Sequence, residues 1–425
     1  MEYKDSLQFA KRADRLDPLR KYRKRFYFPR HTPPMRGKKK KTVYLCGNSL
    51  GLQPKNVRQE IDQELSDWKN KAIAGYLEAK DPWLFYHEQF SGPLSRMMGC
   101  KPGEVTVMNA LTVNLHLLLL SFYQPDKTRF KILMEAGAFP SDQYAVGSQV
   151  QFHGFSIEEA VIEVSPRQGE KLLHTEDIVR AIREHGSQLS LVLFGGINYY
   201  TGQLYDMKRI TEVAHEVGAY AGFDLAHVAG NVPVQLHDWQ ADFAVWCSYK
   251  YLNAGPGAVA GIYIHEKFSQ DQQFRRLAGW WGNDEKTRFR MEKTFIPKPD
   301  AAGWSLSTAQ VFNMVALKAS LKMIDKASIE TMRQKSIDLT GYLEFLLGKL
   351  DNLKFSIITP QNPSARGAQL SLFFEARGKE IQEEMIRKGI VVDYREPGVI
   401  RVAPAPLYNS FTDVYRFYEI LKNFK

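Results

Sequence analysis

The chain has 425 residues and 44% hydrophobic content, enough to bury the core of a two-domain α/β enzyme and more than a small binding module needs. Lys and Arg total 57 against 47 Asp plus Glu, a net charge of +10, yet the excess gathers at Arg20, Lys21, Arg23, Lys24, Arg25 and Arg30 and in the run Lys38 to Lys41. Such runs are ordinarily solvated faces, which weighs against nucleic-acid binding.

No stretch reaches the roughly 20 apolar residues of a membrane span, and Met1 to Arg30 is charged throughout, unlike a signal peptide. A soluble, cytoplasmic protein is expected. Cys46, Cys100 and Cys247 are an odd set without paired or CxxC spacing, against a disulfide framework and a zinc ribbon alike. They are expected to be reduced and buried, and no metal site is expected. No repeat of about 20 to 50 residues stands out, so a solenoid is not expected.

In chain order, residues 1–45 are expected to pack on a C-terminal domain, and residues 46–310 to form a large domain. Within the latter, Phe130 to Met134, Leu189 to Phe194, Ala219 to Phe223, Phe243 to Cys247 and Gly261 to Ile264 read as buried strands. Thr175 to Glu184 and Asp206 to Val217 read as helices between them, the pattern of a mainly parallel sheet covered by helices. Ala309 to Lys326 has apolar residues at helical spacing and is expected to link the two domains. Residues 311–425 then form a smaller α/β domain, with strands at Gln369 to Phe374 and Val399 to Val402 and a closing helix near Thr412 to Asn423.

Several segments could carry chemistry. Asn109-Ala110-Leu111-Thr112-Val113-Asn114 precedes an apolar helix; backbone N–H groups at a helix start bind phosphate, and Thr112 can add a hydroxyl. A polar cap on a buried helix is the plain alternative. Phe139, in Phe139-Pro140-Ser141-Asp142, follows a strand and could stack on a flat cofactor, although such an aromatic is more often core. Asp142 could orient a polar edge of that cofactor.

Asp224 ends a strand in Phe223-Asp224-Leu225-Ala226-His227, where it could cap a helix or pair with the protonated pyridine nitrogen of pyridoxal phosphate (PLP). Lys250 follows a strand in Ser248-Tyr249-Lys250, before the flexible Asn253-Ala254-Gly255-Pro256-Gly257. Alone it reads as a solvated cation; beside a cofactor, a lysine whose charge is disfavoured is a competent nucleophile that forms a Schiff base. Asp224 and Lys250 together favour the cofactor reading. Arg401, among apolar residues in Ile400-Arg401-Val402-Ala403-Pro404, needs a partner if buried: a substrate carboxylate or a structural salt bridge.

These segments, with Gly47-Asn48-Ser49-Leu50-Gly51-Leu52-Gln53-Pro54, Met108 to His116, Tyr200-Thr201-Gly202-Gln203, His237-Asp238-Trp239, Trp246 to Gly255, Gly279-Trp280-Trp281-Gly282 and Arg401 to Phe411, resemble the kynureninase family over nearly the whole chain. The resemblance implies a PLP-dependent transferase-like fold, that of aspartate aminotransferase. It also implies a homodimer that hydrolyses kynurenine or 3-hydroxykynurenine to L-alanine and the matching anthranilate.

By the family pattern Lys250 holds PLP and moves the substrate's α-proton, and Asp224 pairs with the pyridine nitrogen. Leu111, Thr112, His227 and Tyr249 help bind the cofactor, and Phe139, Pro140, Ser141 and Asp142 form the ring-stacking segment. Tyr249 is the implied acid/base of later steps, and Arg401 with Asn48 or Ser49 holds the substrate's α-carboxylate. Trp280 and Thr308 would reach the phosphate of the neighbouring subunit's cofactor. The chain departs from family members at Tyr76, where animal members carry histidine near the substrate ring, at Gly195, where some carry a cofactor-contacting serine, and at Thr308, where some carry asparagine. Gly195 can therefore act only through its backbone.

The rival within enzymes is another class V PLP enzyme such as a cysteine desulfurase. That chemistry needs a nucleophilic thiol on a late loop, and no cysteine follows Cys247. A catalytically dead binding protein on the same fold would be expected to have lost Lys250 or Asp224.

Overall fold

The computed structural model describes residues 2–31 and 40–424, so Lys38 and Lys39 of the basic run lie outside the described residues. Short apolar runs form a seven-stranded sheet from β1 (Val105–Met108), β2 (Lys131–Glu135), β3 (Val161–Val164), β4 (Leu189–Gly195), β5 (Tyr220–Asp224), β6 (Phe243–Trp246) and β7 (Ala260–Ile264). Their order across the sheet is β1-β7-β6-β5-β4-β2-β3. The five strands from β3 to β6 run parallel, and β7 is antiparallel to both β6 and β1. Helices cover both faces, so the central strands are apolar on both sides; Leu191, Val192 and Leu193 of β4 are all buried.

Five of these strands lie where the sequence predicts them, within a residue or two. The two it did not predict, β1 and β3, are the edges of the sheet and only four residues each; β1 is buried throughout but too short to stand out, and β3 is largely open to one side, which leaves a weaker pattern.

The helix Val311–Ala327 buries Met314, Val315, Leu317 and Leu321 in the core that also holds β4 and β5 side chains. A second core begins in the next helix, Ile329–Leu347, at Leu339. There an antiparallel sheet, β8 (Ser356–Ile357), β9 (Leu370–Phe373), β10 (Asp393–Arg395) and β11 (Val399–Val402), runs in the order β8-β9-β11-β10. The N-terminal helix Leu7–Leu16 adds Ala10 and Ala13 to that core, beside the closing helix Phe411–Lys422. Val43–Tyr44 pairs in parallel with Ile390–Val391, which ties the start of the chain to the same domain.

Candidate active site

Neighbouring parallel strands end together at one rim of the large sheet. Glu135 closes β2, Gly195 closes β4 and Asp224 closes β5, while Tyr249 and Lys250 follow β6. All five line a cavity of about 190 Å³, in the place where parallel α/β sheets bind ligands. Two helices start at the same cavity, Leu111–Phe122 with Leu111 and Thr112, and Pro140–Phe152 with Phe139, Ser141 and Asp142. Neither start is capped by a side chain, so their N–H groups and positive dipole ends remain available to an anion. Thr112 Oγ1 lies 2.8 Å from Ser141 Oγ, which joins the two starts.

Lys250 Nζ is 3.0 Å from His227 Nε2 and 5.9 Å from the ring centre of Phe139. Burial, and then the Lys250 charge, hold the imidazole of His227 well below the usual histidine range, so it is neutral. The lysine loop is held from outside by the Gly47–Pro54 segment: Gly51 N–H donates to the Tyr249 carbonyl at 2.8 Å. A Cβ on Gly51 would lie 2.4 Å from the Lys250 carbonyl oxygen, so only glycine permits this approach.

Asp142 and Asp224 are both buried and hydrogen-bonded to one another. Burial raises both carboxyls. The charge of Asp224 raises Asp142 further, whereas Lys250 opposes the rise at Asp224. The hydrogen bond between them raises Asp142 and lowers Asp224, so of the two carboxyls Asp142 is the one that holds a proton more readily, with Lys250 favouring the charged form of Asp224. Asp224 also accepts the Ala226 N–H at 2.7 Å, and Asp142 Oδ1 has no protein partner.

Glu135, which the sequence reading passed over, is 3% exposed, and burial raises its carboxyl to about 8. Its two oxygens accept the Gly195 N–H at 3.2 and 3.1 Å. Gly195 thus spends its N–H on Glu135, and a Cβ there would meet Glu135 Oε1 at 2.9 Å. The signal in the sequence was an acid ending a predicted apolar strand, the same signal that marked Asp224. Burial, followed by the Cys247 thiol, raises the Tyr249 phenol above its usual value, so its hydroxyl is protonated at neutral pH.

Arg401 lies on β11, 2% exposed, and reaches across to the large domain. Nη1 donates to the Tyr199 carbonyl at 2.8 Å, and Nη2 donates to Ser49 Oγ at 3.1 Å and forms an ion pair with Asp393. Tyr199 lines the Lys250 cavity, so Arg401 stands directly behind it. Asn48 Nδ2 donates to Gln369 Oε1 at 2.7 Å, and Asn48 Oδ1 has no protein partner.

Some predicted residues stand apart from this cavity within the chain. Tyr76 packs edge-on against Trp83, with ring centres 5.7 Å apart. Trp280 is 44% exposed, and Thr308 lines a separate small cavity with His87 and Trp281. Pro140 occupies the first turn of its helix, where a missing N–H costs nothing.

One further cluster, Glu104, His237 and His265, has metal-ligand chemistry. The Glu104 oxygens are already taken by the Lys101 and Glu266 N–H groups and by His237 Nδ1, which makes the cluster a structural clamp. The thiols of Cys46, Cys100 and Cys247 are all raised, chiefly by burial, and so none is a thiolate at neutral pH.

A lysine amine, a buried carboxylate that can hold a ring nitrogen's proton, two open helix starts for a phosphate and an exposed aromatic face suit PLP. The fold and the site define a PLP-dependent enzyme of the class V, aspartate aminotransferase-like fold. Among solved structures, the cysteine desulfurase of Thermococcus onnurineus NA1 superposes with a TM-score of 0.73 at 17% identity, over 90% of this chain and 94% of that one. A mutant of C-DES, with glycine covalently linked to its PLP cofactor, gives a TM-score of 0.77 at 16% identity over 90% and 97%. These likenesses concern the fold alone.

The family model for the kynureninase C-terminal domain matches residues 332–421. The kynureninase of Myxococcus xanthus is 52% identical over 420 residues, covering 99% of this chain and 97% of the relative. That of Nematostella vectensis is 46% identical over 435 residues, covering 98% and 93%. The chain belongs to the kynureninase family.

Proposed function

We propose that the enzyme uses PLP to cleave the Cβ–Cγ bond of L-kynurenine or 3-hydroxy-L-kynurenine with water, giving L-alanine and anthranilate or 3-hydroxyanthranilate. The observation that carries this reading is Lys250 Nζ beside a neutral His227, in one cavity with Asp224 and two open helix starts.

When bound, PLP supplies an electron sink for the charge left as bonds to the substrate's Cα and Cβ break. Lys250 would hold the cofactor through Nζ and, once released, carry the substrate's α-proton; neutral His227 leaves that amine free of a competing charge. Asp224 would keep a proton on the ring nitrogen, with Asp142 donating to it from behind. Leu111, Thr112 and Ser141 would bind the phosphate at the helix starts, Phe139 would cover the ring, and Gly195 would serve through its backbone by anchoring Glu135. The protonated Tyr249 hydroxyl is a ready donor for the later proton transfers.

Arg401 would take the substrate's α-carboxylate by exchanging Asp393 for it, with Asn48 and Ser49 alongside. Trp280, Thr308 and Tyr76, which stand apart from the cavity of their own chain, would serve the neighbouring subunit of a homodimer, with Tyr76 facing the substrate ring there. The chain would work as a large domain, a C-terminal domain from about residue 311 and an N-terminal segment 1–45 packed on the latter; the second core supports this for Ala10, Ala13, Val43 and the chain from Leu339, whereas Leu19, Tyr22, Phe26 and the Val311–Ala327 helix lie in the first core. No helix of the described residues is long and apolar enough to cross a membrane. The free cysteines fit a reducing compartment, and the cytoplasm is the proposed location.

The direct test supplies PLP-saturated protein with kynurenine and 3-hydroxykynurenine in parallel and follows alanine and the two anthranilates. Turnover with equal yields of alanine and anthranilate is expected; bound PLP without either product would send the function to another PLP reaction.

A further inference from the structure

Glu135 ends β2 inside the cavity that holds Lys250, and among the described residues no basic side chain bonds to it. Its oxygens accept from backbone groups, the Gly195 N–H and its own N–H, which carry no full charge. Asp142 and Asp224 occupy the same cavity, also buried. Against these carboxyls stands the Lys250 amine, since the guanidinium groups of Arg401 and Arg395 are bonded to Asp393. A buried carboxyl without a cation takes up a proton. Lys250 acts on both aspartates, but it is the main lowering cause at Asp224 and the least at Asp142, so Asp224 is the one best able to stay charged.

We propose that Glu135 is a positioning residue held as the neutral carboxylic acid, which leaves Asp224 as the single charged carboxylate of the cavity. A second charge at Glu135 would drive Asp224 toward protonation, because neighbouring carboxylates raise one another. A protonated Asp224 cannot hold a proton on a ring nitrogen as an ion pair. The inference rests on the PLP reading for its meaning, but its physical content concerns the protein alone. The groups that face Glu135 are Asp142 from the Pro140–Phe152 helix, Asp224 from β5 and the Tyr205 phenol, with Lys250 and His227 across the cavity.

The sign of the linkage gives the test. The folded carboxyl titrates near 8, above its unfolded value of about 4.3. The folded state therefore binds the extra proton between those values, and its stability falls as pH rises through that window. Glu135→Gln, neutral at every pH, escapes this loss. In the PLP-saturated full chain its Tm should match wild type near the acidic end and exceed it by a margin that grows up to about pH 8 and then levels off. Glu135→Leu, which cannot accept the Gly195 N–H, should show the same pH dependence from a lower starting Tm.

The visible absorbance of the bound cofactor, read without substrate, should show a step near pH 8 in wild type that is missing from Glu135→Gln. Variants that melt below wild type by a constant margin at every pH, or an absorbance step that persists in Glu135→Gln, overturn the proposal. Failure to bind PLP would refute the cofactor reading separately, since the melting comparison needs no cofactor chemistry.

Discussion

Arg401 and Asp393 are cross-strand partners on β11 and β10, and their side chains form an ion pair directly behind the Lys250 cavity. A buried guanidinium must have such a partner, and a substrate carboxylate offers the same planar pair of acceptors. The plain alternative raised by the sequence, a structural salt bridge, is therefore present in the resting enzyme. It also prepares the arginine for exchange.

Arg401→Ala should raise KM by the equivalent of about 2–5 kcal/mol, the cost of truncating one side of a buried charge pair, with PLP still bound. Initial rates against substrate concentration, with the cofactor's absorbance as a control, decide it. An unchanged KM would remove Arg401 from the substrate site.

Lys250→Ala should lower kcat by about 10²–10⁴-fold or more, the range for losing a positioned proton carrier, and should end covalent retention of the cofactor after borohydride reduction. Normal turnover in that variant would sink the assignment. His227→Ala should retain part of the activity, because it removes a neighbour of the amine and leaves the amine itself.

Trp280 offers a test of the dimer. If it serves the neighbouring subunit, Lys250→Ala and Trp280→Ala are each inactive alone, yet subunits exchanged from the two variants recover up to about a quarter of wild-type activity, since half of the dimers carry one intact site. No recovery in a mixture shown by mass to have exchanged would keep Trp280 within its own chain's chemistry.

Lys318 is almost fully buried between Glu60, at 2.8 Å, and Asp81, with Glu64 close by; Glu64 in turn accepts from Trp83 and Tyr86. Burial alone would lower this amine, but the hydrogen bonds to Asp81 and Glu60 outweigh it and raise the amine above the usual lysine value. Its stabilisation is thus fully present below the unfolded lysine value of about 10.4 and is lost only as pH climbs through the raised one. Lys318→Met should cost about 3–5 kcal/mol, read as a lower Tm whose gap from wild type stays constant from about pH 6 to about pH 9. A gap that closes within that range would contradict the assigned charges.

The central strands were legible because a strand buried on both faces is a continuous apolar run, and the acids and lysine that end such runs mark the rim where a ligand sits. Lys250 and Asp224 could be found this way before any geometry was known. Glu135 carries the same signal and was missed, because nothing local to it says that the acid is buried without a cation. Tyr76, Trp280 and Thr308 could not be placed by pattern, because which cavity a side chain lines is set by how the elements pack, and local periodicity holds no information about that.

From its own residues the chain determined a mainly parallel sheet, a lysine and an aspartate at its rim, and membership of a PLP-using family, because burial and turn chemistry are written locally. Only the tertiary structure decided which carboxyls are buried together beside Lys250, that the Gly195 N–H goes to Glu135, and that Arg401 rests on Asp393. Those outcomes depend on burial and on charges brought together across the fold, and the energy of a buried charge is set by neighbours that the sequence places far apart.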